Sequence, residues 1–395
     1  RANTSRCAIS PSRLRSCRRL PVMSQVKILP IRSSRTSRGC CARRLRGFRQ
    51  HDYPTGKHYW QPMARLLRYG ATLAVQALRL VAFALLILPA CLRIGWSYFH
   101  SERIARAVRY GDRPRQFLDI YYPRETTRPV PVVIAVMGGA WIIGHRIWNA
   151  LLARTLADAG VMVVAVDYRN FPMASLPEML DDLDSAFTWI ARNIAAHGGD
   201  RSRSAVVGQS AGAQLAATLL LRQSRRQDED LEGGKLAWSA SDFKVFLGVS
   251  GVYDLPKEAK HLESINIFPF LSHLCADGDD IASYSPTLML KDESWRRAAK
   301  RLPPVQLFHG EADTSAPAEM STSFADALRK AGVEVQVELQ KGVTHSEPVV
   351  EGPLAGKDFQ VRHLLPRLGC KLPATGFPRL LPQGVLSLAK RVMPF

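Results

Sequence analysis

The sequence predicts an α/β fold: a mostly parallel central sheet with helices on both faces, preceded by an N-terminal apolar helix. Three observations carry this. From about residue 103, short apolar runs alternate with helical patterns, as expected for strands buried on both faces and joined by crossover helices. The stretch Gly208-Gln209-Ser210-Ala211-Gly212 stands between one such run and one such helix. Residues 71–99 contain only Arg79 and Arg93 as charged groups, and a bilayer-crossing helix needs ~20 mostly apolar residues.

The chain of 395 residues carries a net charge of +20. Such a charge would suggest nucleic acid or an anionic surface, but it is confined to the N-terminal third. Residues 1–51 hold fourteen Lys and Arg and no acid; residues 111–395 hold thirty-two of each sign. The basic stretch has no aromatic interleaving, so no nucleic-acid partner is expected. Residues 1–62, rich in Arg and Ser, read as a targeting leader or disordered polybasic sequence. Four of the seven cysteines (Cys7, Cys17, Cys40, Cys41) lie in this leader, and no cysteine spacing resembles a disulfide framework or a metal site.

Residues 63–102 form the expected membrane anchor. Arg79 is placed to snorkel to the interface, and Trp96, Tyr98 and Phe99 stand where an aromatic belt would lie. The competing reading is a helix on the membrane surface or packed on the enzyme, with Pro89 favouring a break. Residues 103–395 are the α/β domain. Its expected strands are Phe117–Tyr122, Pro131–Val136, Val161–Val166, Ser204–Val207, Phe243–Val249, Val305–Phe308 and Val333–Leu339. The expected helices are Asn149–Ala159, Pro177–Ala196, Ala213–Arg222 and Ala318–Ala331. Residues 224–241 read as a solvated loop, and 256–300 as a helical cap or long loop over the site.

Gly-x-Ser-x-Gly between a strand and a helix is a nucleophile elbow, which lifts the serine hydroxyl above the sheet edge at a helix N-terminus. Ser210 is therefore the candidate nucleophile. It needs a base, and the base needs an orienting acid. In a sheet of this kind they follow as acid, then histidine. Asp313, just past the Val305–Phe308 strand, is the first choice of acid, with Glu311 as runner-up. His345, past the last strand, is the base. His309 is expected to hydrogen-bond within its own turn, and His261, His273 and His363 have weaker claims. Gly138, Gly139 and Ala140 follow the Pro131–Val136 strand. Backbone N–H groups of Gly139 and Ala140, with that of Ala211, would bind a developing oxyanion. This chemistry requires no cofactor and no metal.

With these residues in place the chain resembles the α/β-hydrolase superfamily, and within it the isoprenylcysteine α-carbonyl methylesterases of plants and algae. The likeness rests on Gly138-Gly139-Ala140-Trp141-Ile142-Ile143-Gly144, on Asp167-Tyr168-Arg169-Asn170-Phe171-Pro172, on His197-Gly198-Gly199-Asp200, and on Gly208 to Ala213. Ser250-Gly251 with Tyr253, and Ser285-Pro286, extend it. The resemblance implies a serine carboxylesterase that hydrolyses the methyl ester of prenylated cysteine, with Ser210, Asp313 and His345 as triad and Gly138, Gly139, Ala140, Gln209 and Ala211 lining the acyl site. It also implies a single-pass membrane protein of the endoplasmic reticulum or Golgi, touching lipid through residues 71–99. The alternative within the fold is a general carboxylesterase, lipase or arylformamidase-like hydrolase. A catalytically dead binding module would be a third reading. Two departures stand out: the family usually has His where this chain has Met137, and Ser346-Glu347-Pro348 differs from its usual continuation after the base.

Overall fold

The computed structural model describes residues 57–124, 128–229, 236–267, 270–275, 280–374 and 376–393. The basic leader therefore lies outside the described residues as far as residue 56. The chain opens with a long helix, α1 (Lys57–His100), followed by β1 (Ile104–Arg109), β2 (Phe117–Tyr121) and β3 (Val130–Val136). Helix α2 (Ala150–Asp158), β4 (Met162–Val166), α3 (Leu176–Asn193), β5 (Gly199–Gln209), α4 (Ala211–Glu229) and β6 (Phe243–Val249) continue the alternation. Three helices, α5 (Leu255–Ser264), α6 (Pro286–Met289) and α7 (Glu293–Ala299), fill the interval before β7 (Val305–Gly310). Then come α8 (Glu319–Lys330), β8 (Val335–Gln340), α9 (Glu351–Leu354), α10 (Phe359–Arg367) and α11 (Gln383–Val392).

The eight strands form one sheet in the order β1-β2-β4-β3-β5-β6-β7-β8. From β4 to β8 all pairings are parallel; β1 and β2 join antiparallel at one edge. Successive side chains point to opposite faces of a strand, and here both faces are apolar. Val132, Ile134 and Val136 pack with α3, α4 and α8; Val133 and Ala135 pack with α2 and α10. That is why the strands read as unbroken apolar runs. Helix α3 starts at a capping box, Ser175 with Glu178, and Pro177 supplies a first-turn residue that needs no N–H partner.

Five expectations are corrected. β1 was not foreseen, because Ile104–Arg109 alternates weakly and only its pairing with β2 orders it. Residues 224–229, expected in a loop, continue α4; Gln223 donates to the Trp238 carbonyl at 2.6 Å, and Ser224 is buried. Residues 230–235 lie outside the described residues. Helix α1 passes through Pro89 without a break. Arg79 does not snorkel: its guanidinium donates to the carbonyls of Val392 (3.2 Å) and Met393 (2.8 Å), closing the C-terminal end of α11. Tyr98 is likewise no belt residue. It is buried, and its hydroxyl donates to Asp119 at 2.8 Å.

Candidate active site

Strand β5 ends at Gln209 and helix α4 begins at Ala211, so one residue makes the turn. Ser210 takes it with φ +53°, a left-handed conformation that costs a non-glycine residue on the order of 1–3 kcal/mol. Its N–H is secured on the Val249 carbonyl at 2.9 Å. A Cβ at Gly208 would come within 2.6 Å of the Ala213 Cα, so only glycine lets strand and helix pass. The Ser210 side chain consequently stands at the N-terminus of a nineteen-residue helix, where the partial positive charge of the helix dipole favours an anion.

Ser210, Asp313 and His345 lie together. Ser210 Oγ is 2.9 Å from His345 Nε2, and His345 Nδ1 is 2.7 Å from Asp313 Oδ2. A carboxylate only accepts, so Nδ1 carries the proton and Nε2 offers its lone pair to the Ser210 hydroxyl. Asp313 is buried and follows β7; His345 follows β8. Both rise from carboxyl ends of parallel strands, where ligands bind in open α/β sheets. Glu311 is exposed and its N–H pairs with Gln340. His261 Nε2 donates to the Thr314 carbonyl, and His363 pairs with Glu338.

Burial alone would raise the Asp313 carboxyl. The His345 ring and the hydrogen bond from His309 outweigh it and hold the group well below the usual carboxylate range. The N–H groups of Ser315 and Ala316 add two bonds to Oδ1, each 2.9 Å. His309 is the residue whose importance the sequence understated. Fully buried, it places Nε2 3.1 Å from Asp313 Oδ2 and 2.9 Å from the Ala316 carbonyl. Two acceptors on one nitrogen require that nitrogen to be the donor. Nδ1, 2.7 Å from Ser321 Oγ, then accepts the Ser321 hydroxyl. Its adjacency to Asp313 in the His-Gly-Glu-Ala-Asp run was the available signal.

The loop after β3 approaches the serine closely. At Gly138 a Cβ would meet the Gln209 carbonyl oxygen at 2.6 Å and the Ser210 Cβ at 2.8 Å. Gly139, Ala140 and Trp141 all have positive φ, which turns the backbone back on itself. The N–H groups of Gly139 and Ala140 meet no backbone carbonyl among the described residues. That of Ala211, at the first position of α4, has no intrahelical acceptor. Gln209 Nε2 lies 3.4 Å from His345 Nε2.

Buried partners hold this strained loop. Trp141 Nε1 donates to Gln214 at 2.9 Å, the Tyr168 hydroxyl to the Met137 carbonyl at 2.9 Å, and Asn170 to the Gly144 carbonyl at 2.9 Å. The Asp-Tyr-Arg-Asn run thus buttresses the loop. Its Asp167 also pairs with Arg115 and Arg146, and its Arg169 makes a two-pronged pair with Asp182 of α3, both distances 2.8 Å. Met137, where a histidine was expected, engages through its backbone carbonyl, which any residue supplies. After His345, Ser346 donates to Glu351 at 3.0 Å, and Glu347 pairs with Lys390 of α11 at 2.6 Å. The unusual continuation therefore ties the His345 loop to α9 and α11.

The BD-FAE family model matches residues 118–328. The chain is 36% identical over 344 residues to an isoprenylcysteine α-carbonyl methylesterase of Arabidopsis thaliana, covering 84% of this chain and 80% of the relative. It is 37% identical over 343 residues to a probable isoprenylcysteine α-carbonyl methylesterase of Oryza sativa subsp. japonica, with the same coverage. Among solved structures, an inhibited esterase B from Lactobacillus rhamnosis superposes with a TM-score of 0.53 at 21% identity, over 74% of this chain and 96% of that one. This last likeness bears on the fold. The chain is a carboxylic ester hydrolase of the α/β-hydrolase fold and belongs to the isoprenylcysteine α-carbonyl methylesterase family.

Proposed function

We propose that this esterase hydrolyses the methyl ester of prenylated cysteine through an acyl-enzyme formed on Ser210. The observation that carries the reading is the unbroken hydrogen-bond chain from Ser210 through His345 to Asp313, at the carboxyl ends of β5, β7 and β8, in a chain of this family. Ser210 Oγ attacks the ester carbonyl as His345 Nε2 takes its proton. Asp313 keeps the ring in the required tautomer and stabilises the imidazolium. The oxyanion rests on the N–H groups of Gly139, Ala140 and Ala211. His345 returns the proton to the departing methoxide, and methanol leaves. Water, activated by the same ring, then releases the free carboxylate. The apolar side chains of Ile142, Ile143 and Trp148 are exposed directly beyond the oxyanion loop; they favour an isoprenoid as the acyl part. Helix α1 supports membrane association: Leu66–His100 is apolar enough to cross a bilayer.

The test compares the full chain with Ser210→Ala on a farnesylcysteine methyl ester and on p-nitrophenyl butyrate. Hydrolysis of both by the parent and of neither by the variant is expected. Equal rates for parent and variant would sink the assignment of Ser210. Turnover of the butyrate alone would make the protein a general carboxylesterase.

A further inference from the structure

Helix α1 has two opposed apolar faces, and only one is covered. Phe83, Ile87, Ala90, Ile94 and Tyr98 recur at helical spacing and turn toward the domain: Phe83, Ala90 and Tyr98 are buried, while Ile87 and Ile94 pack beside Leu354, Leu381 and Leu386. Val81, Leu85, Leu88, Leu92, Trp96 and Phe99 recur with the same spacing, and each is between 43% and 68% exposed. At ~100° per residue the two stripes centre about 160° apart, on opposite sides of the helix. A soluble domain has no use for six large apolar side chains in one exposed row.

We infer that α1 is a shared wall: its Phe83-to-Tyr98 stripe holds the catalytic domain, and its Val81-to-Phe99 stripe lies in the acyl chains of a lipid bilayer, so that the domain rides side-on against the membrane instead of hanging from a free span. Length supports this. Arg79 is fastened to α11, and the domain lies along α1 from there on. The candidate span begins at Leu66, and residues 66–78 precede the Arg79 tie. These cover ~20 Å at 1.5 Å per residue, short of the ~30 Å hydrocarbon core. The stretch that is apolar enough to cross must therefore include the part the domain leans on. Lipid is also the occupant the surface fits. Leu66, Leu67, Leu73, Val75 and Leu78 are exposed over an arc of roughly 200° of the same helix. A second protein, docking on one face, would leave part of that arc in water, whereas lipid covers all of it.

The arrangement bears on the reaction. The inner stripe packs on Val350 and Leu354, in the segment directly after His345, and α11 bridges the two by holding Arg79 at its end and the Glu347 carboxylate and Gly342 carbonyl on Lys390. The flank that carries His345 is thus the flank that meets the bilayer. For the prenylated substrate proposed above, on which this consequence alone rests, the isoprenoid stays in lipid while the ester reaches Ser210.

Spin labels test the wall directly and need no ester substrate. Leu85→Cys, Leu88→Cys, Leu92→Cys, Ile87→Cys, Ala90→Cys and Ile94→Cys are made in the full chain, with the native cysteines replaced by serine. Each is labelled in phosphatidylcholine vesicles containing phosphatidylserine, with p-nitrophenyl butyrate turnover as the check that the domain is folded. Collision with oxygen is expected to be several-fold higher at 85, 88 and 92 than at 87, 90 and 94, and collision with a water-soluble nickel chelate low at all six. High oxygen collision all round would mean a free span. High nickel collision at 85, 88 and 92 would mean a water-facing helix, and spin–spin coupling there a second copy. Any of the three overturns the inference, and a protein inactive on the prenyl ester could still pass.

Discussion

Asp313→Asn is the most exposing perturbation of the site, because the structure decides which way the amide must lie. Oδ1 accepts two backbone N–H groups, from Ser315 and Ala316, at 2.9 Å each. If the amide nitrogen took that place, it would oppose both donors and lose two buried hydrogen bonds, at about 1–3 kcal/mol for each group left unpaired. The carbonyl oxygen therefore keeps the Oδ1 place and the NH2 takes the Oδ2 place, 2.7 Å from His345 Nδ1 and 3.1 Å from His309 Nε2. A donor there forces His345 to accept at Nδ1 and to carry its proton on Nε2. That nitrogen, 2.9 Å from Ser210 Oγ, then has no lone pair for the hydroxyl proton. The charge that would stabilise the imidazolium is gone as well. A wrong-tautomer base costs about 10⁴-fold in kcat, roughly 5.5 kcal/mol. The assay is steady-state hydrolysis of p-nitrophenyl butyrate near neutral pH, with thermal unfolding followed in parallel. A loss below tenfold in a folded variant would refute the assignment of Asp313 as orienting acid.

Three further outcomes follow from the same geometry. His309→Gln removes one of two ring donors on Asp313 Oδ2 while leaving Ser210 and His345 untouched; kcat should fall about tenfold with KM unchanged, the size of one charge-assisted hydrogen bond, and a variant altered only in KM or stability would deny the residue a positioning role. Gly138→Ala drives a methyl against the Gln209 carbonyl and the Ser210 Cβ; activity should fall more than about a hundredfold, comparable to loss of an oxyanion donor, with the fold kept, and a fully active variant would show that this loop does not abut the serine. Glu258 is buried, and burial first, then the nearby Asp313 charge, pushes its carboxyl up to about 8. A folded-state pKa above the unfolded one favours the protonated form, so stability is full below pH ~4.5 and declines as pH rises to about 8. Glu258→Gln should abolish that decline, and parallel melting-temperature profiles for the two proteins between pH 5 and 8 would contradict it.

The lesson about legibility lies in particular residues. Strands β3 to β7 were legible because each is buried on both faces, which demands unbroken apolar runs such as Val132–Val136. Ser210 was legible because glycines at 208 and 212 are forced by close passage of backbone. β1 was not, since an edge strand such as Ile104–Arg109 has one solvated side and little to distinguish it. The extension of α4 to Glu229 was hidden by a polar run whose helical state depends on a distant partner, the Trp238 carbonyl. The preference for Asp313 over Glu311 came from order and position; of the four donors that converge on Asp313, His309, Ser315 and Ala316 lie within four residues of it and only His345 comes from a distant element.

By itself the sequence determined the α/β class, the family and the three residues on which the proposed chemistry rests. Those depend on local rules: the period of apolar residues, the glycines a turn requires, the chain order of strand ends. Only the tertiary structure decided what His309 touches, what Arg79 closes and which face of α1 the domain covers. The last two are contacts between elements far apart in the chain, from 79 to 392 or from 90 to 354, and no local pattern encodes which of two apolar stripes finds protein and which is left for lipid.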